Sequence, residues 1–272
     1  MLFAAVLFLY GCIDRGYPYD PDIELSFDPC CNLQEFGASV WDYSEDGNPS
    51  SGTILLDNER IVRNGEIWAP AGAVLWPAKD RKVCVLAYAP YDAEASVSLE
   101  RGVEFKGIDI KALSGELLYS NPVSDISKGD GGVIPITFSE ALCKMSFRMR
   151  TNAFPVETVE LKSLKALSLN TKGDFKSLPS PSWSVSGTAQ AVTLAEGSYF
   201  LGGEPMVISE KFPLIPQQIS TVLEAEIDYT DTNGLASHWV VSTETKTMDL
   251  IPGRSYCVDL LFNVETCTLT MP

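Results

Sequence analysis

The feature that most constrains this chain is a two-residue hydrophobic period with no sustained helical period beside it. From Ala141 to Arg150 the order is Ala-Leu-Cys-Lys-Met-Ser-Phe-Arg-Met-Arg. This sets Ala141, Cys143, Met145, Phe147 and Met149 on one face and Lys144, Ser146, Arg148 and Arg150 on the other. Successive side chains of an extended backbone point to opposite sides, so such a segment is a strand with one face in a core and one in water. Leu223, Ala225, Ile227 and Tyr229 alternate in the same way with Glu224, Glu226 and Asp228, and Tyr256, Val258, Leu260, Phe262 and Val264 repeat the pattern. Val83 to Tyr88 is apolar throughout, as a strand covered on both faces would be. Turn-forming clusters lie between these runs: Asp46-Gly47-Asn48-Pro49, Asn64-Gly65, Lys128 to Gly132, Asn233-Gly234 and Pro252-Gly253. Many short strands with frequent turns predict an all-β chain of sandwich type. Little helix is expected, a short one near Ile108 to Tyr119, and a parallel α/β architecture with its nucleotide crevice is excluded.

At 272 residues the chain is long enough for two ordinary cores. The Gly and Asp cluster at Gly131-Gly132 predicts a boundary there, giving domains over residues 23–132 and 133–272.

Residues 1–11, Met-Leu-Phe-Ala-Ala-Val-Leu-Phe-Leu-Tyr-Gly, form an apolar run of secretory length, too short to cross a bilayer core of about 30 Å as a helix. The run ends in Leu9-Tyr10-Gly11-Cys12, which resembles the lipobox of bacterial lipoproteins. Cleavage between Gly11 and Cys12 would leave a thiol and an amine for acylation, with residues 12–22 as a tether and the acyl chains as the sole contact with membrane. No Lys or Arg precedes the run, so the true start is expected upstream. Cys30, Cys31, Cys84, Cys143, Cys257 and Cys267 then form an even set in an exported chain, where disulfides are permitted. Their spacing matches no metal template, and the expectation is of buried thiols acting as small hydrophobes.

Acidic residues outnumber basic ones 36 to 20, for a formal charge of −16, and no Lys or Arg stands between Arg15 and Arg60. Such a field repels phosphate backbones and anionic lipid headgroups, so nucleic acid is excluded as a partner. The single histidine, His238, rules out multi-histidine metal centres and leaves no second His for an HExxH site. No phosphate loop or nucleophile elbow is present. Asp42-Tyr43-Ser44-Glu45-Asp46-Gly47 copies the opening of a calcium loop, yet Thr53 stands where a bidentate Glu is required, so it reads as an acidic turn. The Trp residues at 41, 68, 76, 183 and 239 are expected in cores, with a sugar-stacking platform as the alternative. No catalytic, cofactor or metal residues are assigned, and the chain is read as a non-enzyme.

Trp76-Pro77 followed by Val83-Cys84-Val85-Leu86-Ala87-Tyr88-Ala89-Pro90-Tyr91 resembles the W-P and F-x-A-Y-x-P-Y signature of the fimbrillin (Mfa-like) pilus subunits of the Bacteroidales. Ile136 to Phe147 is similar to that family's F-x-H-A-L-A-K-V-x-F strand, with Glu140 where His is common. Phe36-Gly37-Ala38-Ser39-Val40-Trp41, Leu117-Leu118-Tyr119-Ser120, Leu214-Ile215-Pro216-Gln217 and Pro252-Gly253-Arg254-Ser255-Tyr256 follow in the family's order, although its closing Trp is missing. The resemblance implies two tandem transthyretin-like β-sandwiches of Greek-key type, export as a lipoprotein to the outer membrane, and assembly with other pilus subunits by strand exchange. It also implies a protease cut after an Arg that discards the first strand in stalk subunits. Arg15 and Arg60 are the candidates: a cut at Arg15 leaves the expected first strand Ile23 to Phe27 in place, and Arg60 lies beyond it. An anchor or accessory adhesin subunit is therefore expected, with Thr266-Cys267-Thr268-Leu269-Thr270-Met271 as the candidate donor strand. That segment also reads as the last strand of its own domain. A host or bacterial surface protein or glycan is the expected adhesive ligand, and a glycan-binding lipoprotein for nutrient uptake is the alternative function.

Overall fold

A computed structural model of the chain describes residues 23–271, apart from 79, 93, 114 and 129–131. The regular secondary structure of the described residues is all strand, apart from a short 3-10 turn at Pro49–Ser51. The first sheet has nine strands. Its order is β10 (Val133–Pro135), β1 (Ser26–Asp28), β4 (Ile67–Pro70), β3 (Thr53–Asn64), β2 (Glu35–Ser44), β5 (Arg81–Ala89), β8 (Leu118–Ser120) and β11 (Phe138–Glu140), and β9 (Val123–Ile126) also pairs with β5. The two edge strands, β10 and β11, are separated in sequence by Ile136 and Thr137 alone, so the sheet must roll until its edges nearly meet. Ile136 sits buried at that seam, its N–H donating to the Asp28 carbonyl at 2.7 Å. The enclosed core holds Leu25, Phe27, Phe36, Val40, Ile61, Trp68, Val83, Val85 and Ile134. β5 is buried on both faces from Val83 onward, as its unbroken apolar run predicts: Val83, Val85 and Ala87 face this core, and Tyr88 faces the next one.

The second core lies largely beyond residue 140. One sheet runs β17 (Met206–Leu214), β12 (Cys143–Thr151), β22 (Ser255–Asn263), β23 (Thr268–Thr270); another runs β16 (Gln190–Leu201), β13 (Thr158–Leu169), β19 (Leu223–Thr230), β20 (Ala236–Ser242). β12 carries the predicted alternation, with Cys143, Met145, Phe147 and Met149 buried and Arg150 exposed. A third sheet, β15 (Ser182–Ser186), β14 (Lys172–Lys176), β7 (Gly102–Asp109), β6 (Ser96–Ser98), and the pair β18 (Gln218–Thr221) and β21 (Lys246–Asp249) complete it. A chain of aromatic rings joins the halves: Tyr88 meets Phe105 at 5.4 Å, Phe105 meets Phe175 at 6.0 Å, and Phe175 meets Trp183 at 5.4 Å.

Two expectations need correction. The segment expected to be helical near Ile108 to Tyr119 ends β7, turns, and enters β8. The Asp109 carboxylate accepts the Lys111 N–H at 3.1 Å, and the Ile110 N–H is taken by the Thr171 carbonyl at 3.0 Å, so backbone groups that a helix would use are bonded elsewhere. Among the six described cysteines, all unpaired, only Cys84 and Cys143 are buried. Cys30, Cys31 and Cys257 are exposed; Cys257 is so because it takes the outer phase of β22 while Tyr256, Val258 and Leu260 take the inner one. Around the expected boundary, Gly131 lies outside the described residues. There, strands are shared in both directions: β10 and β11 pair into the first sheet, and β7 pairs with β14.

Candidate assembly interface

The first strand is a structural part of the first core. Leu25 and Phe27 are buried, and the Phe27 ring meets Phe36 edge-on at 5.8 Å. β1 lies parallel to β10, with Ser26 beside Val133 and Phe27 beside Ile134, and touches β4 through Phe27 and Trp68. Ahead of it, the Leu25 N–H donates to Val74 O at 2.7 Å and the Trp76 N–H to Ile23 O at 2.8 Å. The Trp76 indole N–H donates to Gly132 O at 2.9 Å. Gly132 has φ +78°, and any side chain there would collide with Ile23 and Trp76, so the Gly that reads in sequence as a flexible joint is a tight packing point. Removing β1 would open a slot walled by Phe36, Trp68, Trp76 and Ile134.

The residues expected to process or anchor the chain fall in two places. Gly11, Cys12 and Arg15, with the segments 1–11 and 12–22, lie outside the described residues. Arg60 stands mid-way along β3, opposite Gly37, and its guanidinium Nε donates to Glu35 at 2.7 Å.

The candidate donor strand is folded back on its own sheet. β23 pairs antiparallel with the end of β22, Thr270 facing Leu261, Leu269 facing Phe262 and Thr268 facing Asn263. Asn263 Oδ1 accepts the N–H groups of Glu265 and Thr266, and Cys267 takes φ +54°, which closes the hairpin. Leu269 is buried, Thr268 and Thr270 are exposed, and Met271 lines a small apolar cavity with Met145, Phe147, Leu214 and Met248. In the structure the segment is thus the closing strand of its own sandwich, three residues long and seated on an edge.

Other residues singled out by sequence take structural roles. Trp41, Trp68 and Trp76 are buried, and Trp183 and Trp239 are partly buried against the second core, so they do not form an exposed sugar platform. Asp42 turns to Arg81 and not toward the turn that resembles a calcium loop; the Arg81 Nε–H donates to Asp42 Oδ2 at 2.9 Å. His238 is exposed on β20, with Nδ1 2.7 Å from Asp228 and Nε2 3.5 Å from Glu226. Glu140 accepts from Lys144 at 2.7 Å, and Glu116 completes the clasp. Burial works against the Lys144 ammonium, but the hydrogen bonds to Glu116 and Glu140 outweigh it and hold that group above its usual range.

A family model described as fimbrillin-like matches residues 34–271. The chain belongs to the fimbrillin-like family. None of the curated proteins compared with it matches. Among solved structures, a fimbrial protein from Bacteroides vulgatus is similar with a TM-score of 0.68 at 16% identity, over 92% of this chain and 97% of that one. A candidate cell adhesion protein from Bacteroides uniformis follows at 0.54 and 14%, over 92% and 95%. One from Bacteroides ovatus stands at 0.53 and 13%, with the same coverage. At these identities the likeness establishes a shared fold; of the fimbrillin-like motifs, Trp76, Val83, Val85, Ala87 and Ala89 lie in the first core and Tyr88 in the second.

Proposed function

We propose that this fimbrillin-like protein is an anchor or accessory subunit of a pilus, held at the outer membrane by acylated Cys12 and joined to its neighbours by strand addition. Family membership supports the broader part, a pilus-related adhesion role at the cell surface. The names of its structural neighbours, a fimbrial protein and candidate cell adhesion proteins, agree with that part.

The observation that carries the anchor reading is the position of Arg60. No Lys or Arg occurs between Arg15 and Arg60, and a cut after Arg60 would remove β2, whose Phe36, Ala38, Val40, Trp41 and Tyr43 fill the centre of the first sheet. A cut after Arg15 would leave β1 in place. The first lobe therefore keeps its own first strand and offers no groove there, which suits a subunit at the base or side of a fibre. Strand addition then rests on β23, a short edge strand whose Leu269 is buried and which Met271, just beyond it, follows into an apolar cavity.

Intact-mass analysis of the mature protein tests this. A chain beginning at acylated Cys12 is expected, and one beginning after Arg15 or Arg60 without acyl groups would overturn the anchor role. Deleting residues 265–272 should give a folded protein that no longer joins a neighbouring subunit, whereas unfolding would confine β23 to its own sheet.

A further inference from the structure

Sheet edges expose unpaired N–H and C=O groups, and folded proteins blunt them with short strands, bulges, Pro or Lys. Among the described residues, most edges of this molecule are treated in that way. β10, β11, β6 and β23 are three residues long, and β18 and β21 four. β17 pairs through register shifts and carries Lys211 and Pro213, and β16 is shifted repeatedly against β13. β15 is a regular edge but spans five residues only.

β20 is the exception. Its seven residues, Ala-Ser-His-Trp-Val-Val-Ser from Ala236 to Ser242, hold one register with β19 throughout, with no Pro, no Lys and no bulge. Among the described residues, nothing pairs with its other side in the sheet order. Val240 is 60% exposed in the middle of it. The outer face beside this edge is acidic: Glu224, Glu226 and Asp228 of β19 stand opposite Ser242, Val240 and His238, and Glu160 of β13 stands beside Asp228. Of the neighbouring basic side chains, Lys165 stands opposite Glu224, Lys162 is engaged by Glu160 at 2.9 Å, and His238 Nδ1 lies 2.7 Å from Asp228.

We propose that β20 docks an extended segment of another protein that carries Lys or Arg at every second residue. The backbone of that segment pairs with β20 and extends the sheet to five strands. Its basic side chains fall on the face of Glu226 and Asp228, about 10 Å away across two strand spacings, a gap that a Lys and a Glu side chain span together. Its other side chains turn to the opposite face, beside Trp239. Charge decides against a second copy of this chain, which brings the same acidic face and a formal charge of −16. This edge is separate from β1; β23 of the facing sheet lies close to its Ser242 end, and the peptide test reads pairing with β20 in a chain that keeps β23 in place.

The test is fluorescence anisotropy of a labelled heptapeptide alternating Val and Lys, added to the full chain at low salt. Two control peptides replace Lys by Glu, or methylate alternate backbone nitrogens to remove the donors facing β20. Binding of the Val-Lys peptide is expected, with both controls weaker by about tenfold or more. Val240→Lys, a change at an exposed side chain, should weaken the Val-Lys peptide and favour the Glu peptide. Undiminished binding of the methylated peptide would reduce the effect to surface attraction and overturn the proposal. So would no binding at all, no response to Val240→Lys, or self-association of the chain that Val240→Lys abolishes.

Discussion

Gly37 lies directly opposite Tyr88 across β2 and β5, and the phenol ring fills the volume that a Cβ at position 37 would need. The Tyr88 hydroxyl sits against Asn58 Oδ1 and the Asp92 carbonyl, so the ring ties β5 to β3 and to the loop after β5. Adding one methyl group in Gly37→Ala forces the ring out of place, and a loss of about 1 to 3 kcal/mol is expected. The urea midpoint of Gly37→Ala should fall, and Tyr88→Leu in the same chain should recover part of it; additive losses in the double variant would refute the packing account.

Burial pushes the Tyr88 phenol up to about 12, against its ordinary 10, although hydrogen bonds to the Asp92 backbone and Asn58 pull the other way. Because the neutral phenol is the form the fold favours, this stabilisation is complete below pH 10 and is lost as pH rises towards 12. Ultraviolet titration of wild type against Tyr88→Phe should show one phenolate missing from the latest part of the curve. Alkaline unfolding of Tyr88→Phe should be less steep over that window.

Phe27→Ala empties a site packed on Phe36 and Trp68 and should cost about 3 to 5 kcal/mol. Denaturant unfolding checks it. A loss below about 1 kcal/mol would mean that β1 is dispensable, and would favour the stalk-subunit role over the anchor role.

How far the fold is legible in the sequence depends on whether the signal is local. The strand at Cys143–Thr151 and the doubly buried β5 follow from side-chain period alone, and Phe36-Gly37-Ala38 and Ala87-Tyr88 stand out as separate motifs, while their contact is visible only in the fold. Pairings between distant segments leave no such trace: β7 with β14 joins residues such as Asp109 and Lys172, and β1 with β10 joins residues such as Ser26 and Val133, far apart in sequence. Gly132 looks like a hinge in sequence because turn residues resemble one another, whereas only packing shows that Ile23 and Trp76 forbid any larger residue. Edge status is hidden for the same reason, since Ala236 to Ser242 reads like any interior strand.

Arg81→Met should destabilise the first lobe by about 3 kcal/mol, because it leaves the buried Asp42 carboxylate without its cation. Among the described residues Asp42 Oδ1 has no hydrogen-bond partner to compensate. In the double variant with Asp42→Leu, thermal unfolding should recover most of the loss; if it does not, the ion pair is not the cause.

Thiol mapping separates the cysteines by environment. Cys30, Cys31 and Cys257 should alkylate in the folded protein, while Cys84 and Cys143 should wait for denaturant. Burial pushes the Cys143 thiol up to about 12, which adds a chemical barrier to the steric one. Early labelling at Cys143, read by peptide mass, would contradict the packing of β12.

The parallel alignment of β1 with β10 has a mechanical side. A pull on the chain ahead of Ile23 runs along the strand axis, so the contacts from Ile23 to Asp28 share the load together instead of breaking in succession. Resistance then depends on how fast the whole strand can slide free, a rate rather than an equilibrium. In a body dragged by flow, the first lobe would act on that strand as a shear clamp.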